Sequence, residues 1–286
     1  MHLDFSGMAP YLRFGLVFYF GALILAAFER SGEAVVRLGG GDYAEVGYFG
    51  VAHSAFLTGA VGIPQIAIAL APLLTMLRFE GNQTTVRLWM ERLLKWLALG
   101  SMIVILGAVL LARHMVPFVF GSAYQPVAAN LIPMAMCLLP LSLTSVANLS
   151  ALTYDRPGVA LGAAGVRLTV FWLLGLPFVH RWGSWGACLA MFCAVAAQAT
   201  FFTWRIRRIV GYSLASWLKV VACGALFLPL VWLRRSCVVD VALFLFFLVA
   251  YVGLGLAWGL VRLGELSALW RAVSGVRART TTEGVA

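Results

Sequence analysis

Phe14-Gly15-Leu16-Val17-Phe18-Tyr19-Phe20-Gly21-Ala22-Leu23-Ile24-Leu25-Ala26-Ala27-Phe28 is a run of fifteen uncharged residues that ends abruptly on Glu29-Arg30. As an α-helix it is about 22 Å long, whereas the hydrocarbon of a bilayer is about 30 Å thick. The run is too oily for a surface helix and too short to cross by itself. A crossing therefore draws Glu29 and Arg30, and Glu33 with them, into the outer part of the membrane. One reading settles two matters: the solvent is lipid, and ionisable groups enter it.

Outward from this run the pattern repeats. The chain has 286 residues, 62% of them apolar and 11% charged, where a soluble domain carries about 25% charged residues. A water-soluble core of this size cannot hide that surplus. Apolar runs predict eight spans, from about Tyr11 to Leu38, Val46 to Leu77, Leu88 to Arg113, Ala128 to Tyr154, Pro157 to Val179, Trp185 to Trp204, Leu214 to Leu233 and Val238 to Val261. Internal prolines such as Pro64, Pro72, Pro133 and Pro140 do not argue against them, because spanning helices tolerate proline. The expected fold class is all-α, a polytopic membrane protein.

Charge sets the expected orientation. With the N-terminus inside, the inner connections hold fourteen Lys/Arg and the outer ones six (Arg30, Arg37, Arg113, Arg181, Arg234 and Arg235), with Arg167 buried between. The positive-inside bias then selects cytoplasmic N- and C-termini and an even number of spans. The same rule, with attraction to acidic lipid heads, accounts for the formal net charge of +10 without a nucleic-acid partner. The start, Met1-His2-Leu3-Asp4, carries an acid and no basic region, so no secretory leader is expected. Between the second and third spans, Val86 to Lys95 is amphipathic and flanked by Trp89 and Trp96, which suits a helix at the inner headgroup level.

Nothing in the sequence pairs a nucleophile with a base, cradles a phosphate or spaces metal ligands. Gly39-Gly40-Gly41 reads as a turn, the five cysteines as apolar fillers, and the three histidines of the body are scattered. No catalytic residue, cofactor or metal is expected, and the chain reads as a non-enzyme. The weight falls on polar groups within the spans, since these usually face a bundle interior or an aqueous cavity. Glu29, Glu33 and Arg37 share a helix face by i, i+4 spacing, so that Glu33 can pair with Arg37. They line a hydrophilic cavity or mark a helix end rising into headgroups. Arg167 sits near the centre of the fifth span, where snorkelling cannot reach water. It faces either a cavity that takes an anion or a structural partner. Asn148, with Thr144 and Ser145, forms a small polar face on the fourth span, suited to interhelical hydrogen bonds or substrate contact.

Five stretches, in order, carry a resemblance. They are Asp42-Tyr43-Ala44-Glu45-Val46-Gly47-Tyr48 with Ala52, then Leu70-Ala71-Pro72, then the apolar run to Phe120-Gly121-Ser122-Ala123-Tyr124, then Asp155-Arg156-Pro157. The last is Phe178-Val179-His180-Arg181-Trp182-Gly183-Ser184-Trp185-Gly186-Ala187. Together they resemble the second half of the Wzx-like polysaccharide flippases of the multidrug/oligosaccharidyl-lipid/polysaccharide (MOP) superfamily. In the last stretch His180 replaces the family's proline and Trp182 its usual Tyr or Phe. The likeness covers about Tyr11 to Arg208 and rests on turn and packing signatures, so it carries over no site residue.

The resemblance implies a six-helix lobe over 1–209, two additional helices over 210–263 and a basic cytoplasmic tail over 264–286. It also implies movement of a polyprenyl-diphosphate-linked oligosaccharide across the bacterial inner membrane, for O-antigen, capsule or exopolysaccharide. The chain then begins at what would be the seventh span, so the expected partners include a missing N-terminal lobe or a second copy, besides membrane lipids and the lipid-linked substrate. Arg167, Arg30, Glu29, Glu33 and Asn148 are the expected substrate-pathway residues. Two rivals stand beside this reading. A cation-coupled drug exporter would lean on buried carboxylates, and intramembrane acids are expected in the first span alone. A membrane glycan polymerase or ligase would need a sizeable outer loop, and none here exceeds about fifteen residues.

Overall fold

The computed structural model describes residues 9–227 and 236–257. These form α1 (Ala9–Leu38), α2 (Tyr43–Ala60), α3 (Gly62–Ala69), α4 (Ala71–Phe79) and α5 (Gln83–Phe120). A short 3-10 turn (Ser122–Tyr124) leads to α6 (Gln125–Met136), α7 (Leu138–Thr153), α8 (Pro157–Val210), α9 (Ala215–Ala225) and α10 (Cys237–Ala257). No strand occurs among the described residues. The protein is an all-α, multi-pass membrane protein.

Among the described residues six stretches of helix are long and apolar enough to cross a bilayer, where eight spans were expected of the whole chain. The difference has physical causes. α8 is 54 residues, about 80 Å at 1.5 Å per residue, and cannot be one crossing. At Gly183 the backbone leaves helical geometry (φ 58°, ψ −142°), and the expected fifth and sixth spans are its two arms. The arms run antiparallel: a Cβ at Gly186 would be driven into the carbonyl of Phe178, and one at Gly162 would lie 3.5 Å from the Phe201 ring. The expected seventh span is described only as α9, eleven residues long, and the remainder of that prediction lies partly outside the described residues. So do the end of the eighth and the basic tail.

Prolines cut two spans into pieces. Pro64 and Pro72 offer no N–H to the carbonyls of Ala60 and Ile68, and the chain breaks into α2, α3 and α4 at Val61 and Leu70 within one span of 37 residues. Pro140 does the same to Met136, separating α6 from α7 at Cys137. Where no breaker stands the helix continues. Val86 to Lys95 is the first part of α5, capped by Asn82, whose side chain accepts from the Thr85 amide at 3.2 Å. It is not a separate helix at the headgroups. Val86, Met90, Leu93, Leu94 and Leu97 bury one face against α7 and the end of α8, so packing holds it upright.

Three apolar clusters hold the bundle. One joins α1, α2, α6 and α8 around Phe28, Val35, Phe49 and Phe171, and a second gathers α5, α7 and α8 around Met90, Val146 and Phe202. The third packs α9 and α10 on α5 through Met102, Leu106, Val220, Phe247 and Tyr251. Gly175 lets α1 and α8 approach, since a Cβ there would lie 2.5 Å from Val35. At the expected inner end Arg78 bonds to Asp155 at 2.8 Å and to the Thr153 carbonyl, which ties α4 to the α7–α8 turn.

Candidate functional site

The break at Val61 opens a cavity of about 390 Å³ between α1, the α2–α3 bend, α7 and both arms of α8. Its walls are mostly apolar, from Val17, Leu25, Phe56, Leu141 and Leu161. Into this oily hollow come six polar side chains: Glu29 from α1, Thr144, Ser145 and Asn148 from α7, Arg167 from one arm of α8 and Gln198 from the other. Residues 144, 145 and 148 meet there because three- and four-residue steps share a helix face. A few polar groups converging in an apolar hollow is the usual make-up of a ligand site.

Arg167 is the chemical centre. It is 7% exposed, and its guanidinium lies 3.9 Å over the face of Phe28, which is itself held edge-on by Phe171 at 5.0 Å. That arrangement gives the cation an aromatic floor in place of a direct ion pair. Its Nε is buried with no hydrogen-bond partner, and among the described residues no carboxylate closes an ion pair with it. Glu29 shares the cavity without closing that contact. Gln198 Oε1, 6% exposed as a residue, is likewise without a partner. Thr144 is the satisfied member, since its hydroxyl donates to the Pro140 carbonyl at 3.1 Å.

Of the five residues expected along a substrate pathway, Glu29, Asn148 and Arg167 line this one cavity and Arg30 and Glu33 do not. Arg30 is exposed on another face of α1. Glu33 lies against α2, its Oε1 3.6 Å from where a Cβ would stand on Gly50. The expected Glu33–Arg37 pair is absent among the described residues. Arg37 instead donates to the Gly41 carbonyl at 3.1 Å and stacks 4.3 Å over Tyr43, because the turn after α1 brings both within its reach. Gly39–Gly41 is the turn that was expected, with Asp42 capping α2 through the Glu45 amide at 2.7 Å.

Sequence reasoning missed a second polar cluster. Asp240 of α10 is fully buried, and its Oδ2 lies 2.8 Å from His114 Nε2 and 3.2 Å from Arg113 Nε, both of α5. The intramembrane acids are therefore not confined to the first span. The signal was available: Asp240 stands alone in Cys237-Val238-Val239-Asp240-Val241-Ala242-Leu243.

Fold and cavity define a class, the polytopic helical membrane protein with a mostly apolar hollow that receives a few polar side chains. No protein-family profile matches the chain, and no curated protein matches it. Three solved chains do match, and one is described as "Lipid II flippase MurJ, inward closed conformation". The two superpose with a TM-score of 0.61 at 14% sequence identity, over 80% of this chain and 52% of that one. The chain thus shares the fold of that structure and spans about half its length.

Proposed function

We propose that the chain is one lobe of a flippase that moves a polyprenyl-diphosphate-linked oligosaccharide across the bacterial inner membrane, for O-antigen, capsule or exopolysaccharide. The observation that carries this reading is the buried, uncompensated Arg167 in a cavity shared with Glu29 and Asn148. A cation held over Phe28 with an open Nε suits a diphosphate, which brings the charge and the acceptors Arg167 lacks. Asn148, Ser145 and Gln198 suit sugar hydroxyls, and the apolar walls keep water out. The polyprenyl tail would remain in lipid.

The likeness to a lipid II flippase supports the transporter class over an enzyme, and the Wzx-like motifs favour a polysaccharide precursor as cargo. A cavity of about 390 Å³ holds a headgroup fragment rather than a whole oligosaccharide. The remaining wall would come from an N-terminal lobe or a second copy, and rocking of the lobes would alternate access. N- and C-termini facing the cytoplasm, and division into a lobe, two added helices and a tail, belong to the same proposal. Arg30 and Glu33, outside the cavity, would meet the substrate at its mouth. Asp240 is the one feature that favours the cation-coupled exporter among the rivals, since it is a buried carboxylate.

The test is complementation of a strain lacking its polysaccharide exporter, with the chain alone and beside an N-terminal lobe. Restored surface glycan is expected with the lobe. Arg167→Leu should abolish export at unchanged membrane insertion, and Arg167→Lys should retain part of it. Export unaffected by Arg167→Leu, or no surface glycan in either arrangement, would overturn the reading.

A further inference from the structure

The Asp240 cluster lies outside the cavity, and no transport step uses it. Its heavy atoms pose a proton problem. His114 Nε2 is 2.8 Å from Asp240 Oδ2 and 3.1 Å from Arg113 Nε. A ring nitrogen that donates to the carboxylate cannot also accept from the arginine. The carboxylate is the stronger acceptor and is shared, since Arg113 Nε also reaches Oδ2 at 3.2 Å. The proton therefore sits on Nε2 and points at Asp240, the Arg113 N–H turns to the same oxygen, and Nδ1 is left as the atom that gains or loses a proton. Asp240 Oδ1, buried without a partner, gives the carboxylate no alternative anchor.

These contacts bridge α10 and α5 at the start of α10. Lower down, a Cβ on Gly107 would lie 3.2 Å from the Phe244 ring, which fixes the two helices as antiparallel neighbours. The remaining contacts are apolar, through Phe247 and Tyr251. No other charged group enters among the described residues. Of the titratable groups on α9, Lys219 is exposed and Cys223 packs at the level of Phe247 and Tyr251. α6, which also packs on α5, carries none. On α10 itself Cys237 is exposed, and Tyr251 stands three turns away.

We propose that His114 and Asp240 form a proton-operated latch that sets how firmly α10 is held to α5. When Nδ1 is protonated, an imidazolium faces a buried carboxylate and the bond is charge-assisted. When Nδ1 is bare, a neutral imidazole makes the weaker bond and Arg113 alone balances Asp240. The latch is tight while Nδ1 carries a proton and loosens when that proton leaves, so acid tightens it. The proposal does not depend on what the cavity transports.

The experiment is thiol cross-linking of Gly107→Cys with Phe244→Cys, in a Cys237→Ser background, by a short bifunctional reagent in reconstituted vesicles. The initial cross-linking rate, divided by that of a soluble thiol at each pH, is expected to be about fivefold higher at pH 5.5 than at pH 8. His114→Gln keeps a donor but cannot titrate, and should give a pH-independent rate; Asp240→Asn should give a low, flat one. A flat profile in the parent pair overturns the latch, as does an unchanged pH profile in either variant. Should His114→Gln fail to accumulate, Asp240→Asn and the parent profile decide the matter. An intact latch with failed glycan complementation would reject the transport reading alone.

Discussion

Arg167 is held in its cavity at a cost, and that cost yields a prediction about stability. Its stacking on Phe28 contributes about 2 kcal/mol or somewhat more when desolvated, while a buried donor without a partner loses about 1–3 kcal/mol. The two nearly cancel. Arg167→Met, which fills similar volume without a charge, should leave the thermal unfolding of the detergent-solubilised protein within about 1 kcal/mol of the parent, even as export is lost. A large loss of stability would mean that the arginine is structural, held by a partner yet to be found. In sequence this residue was legible, because a cation ten residues from one end of an apolar run and twelve from the other has no route to water. Gln198 and Asn148 were not separable from ordinary interhelical glue, since one sequence does not say which helix face looks into a hollow. Asp240 was overlooked for the opposite reason. It stands near the end of its span, where an acid commonly faces headgroups, and only the neighbouring α5 buries it.

At the level of the element, the hairpin at the centre of α8 concentrates the most restrictive geometry. Gly183 takes a positive φ of 58° beside the Glu45 carboxylate, and Gly186 lies against the Phe178 carbonyl of the other arm. Gly186 cannot accept a side chain without opening the arms, and at Gly183 a Cβ would meet both a positive φ and the Glu45 carboxylate of α2, so each glycine of the turn motif answers a different requirement. Gly186→Ala should cost about 3 kcal/mol or more, visible as a large fall in unfolding temperature or in folded yield. Gly165→Ala, in the same helix with open space around it, should be neutral or raise stability by up to about 1 kcal/mol. Equal behaviour of the two would mean that the arms are not in contact. The hairpin was legible as a turn between two runs. The bends at Val61, Leu70 and Cys137 were legible only as tolerated prolines, because whether a proline kinks a helix or divides it depends on what the neighbours satisfy. The continuity of α5 was hidden for a related reason. Basic residues and tryptophans in Val86 to Lys95 suggest an interface, and only the facing apolar residues of α7 and α8 explain an upright helix.

For the whole molecule, the count of crossings decides where every turn lies. The path length of α8 requires two passes, so Gly183 and the ends of α8 fall on opposite sides of the membrane. With the N-terminus inside, the turns at Gly40, Gly121 and Gly183 face outward, and those at Asn82, Asp155 and Gly211 face inward. This sequence of turns alternates only if the broken span Tyr43–Phe79 crosses once despite its three helices, and if α6 with α7 crosses once despite the break at Cys137. Single cysteines at Gly40, Asn82, Tyr124, Asp155, Arg181 and Gly211, probed with an impermeant thiol reagent in intact cells, are expected to label at Gly40, Tyr124 and Arg181 alone. The apolar thiols already present are buried or partly so except Cys237, which would be changed to serine first. Labelling of Asp155 together with Arg181 would mean that the first arm of α8 does not cross, and would remove the cavity's fourth wall, because Gln198 and Arg167 come together only when the two arms lie side by side. The reverse pattern, with Asn82, Asp155 and Gly211 labelled, would keep the lobe intact and turn it over. The basic ends of α4 and α8 would then face outward, against the charge bias.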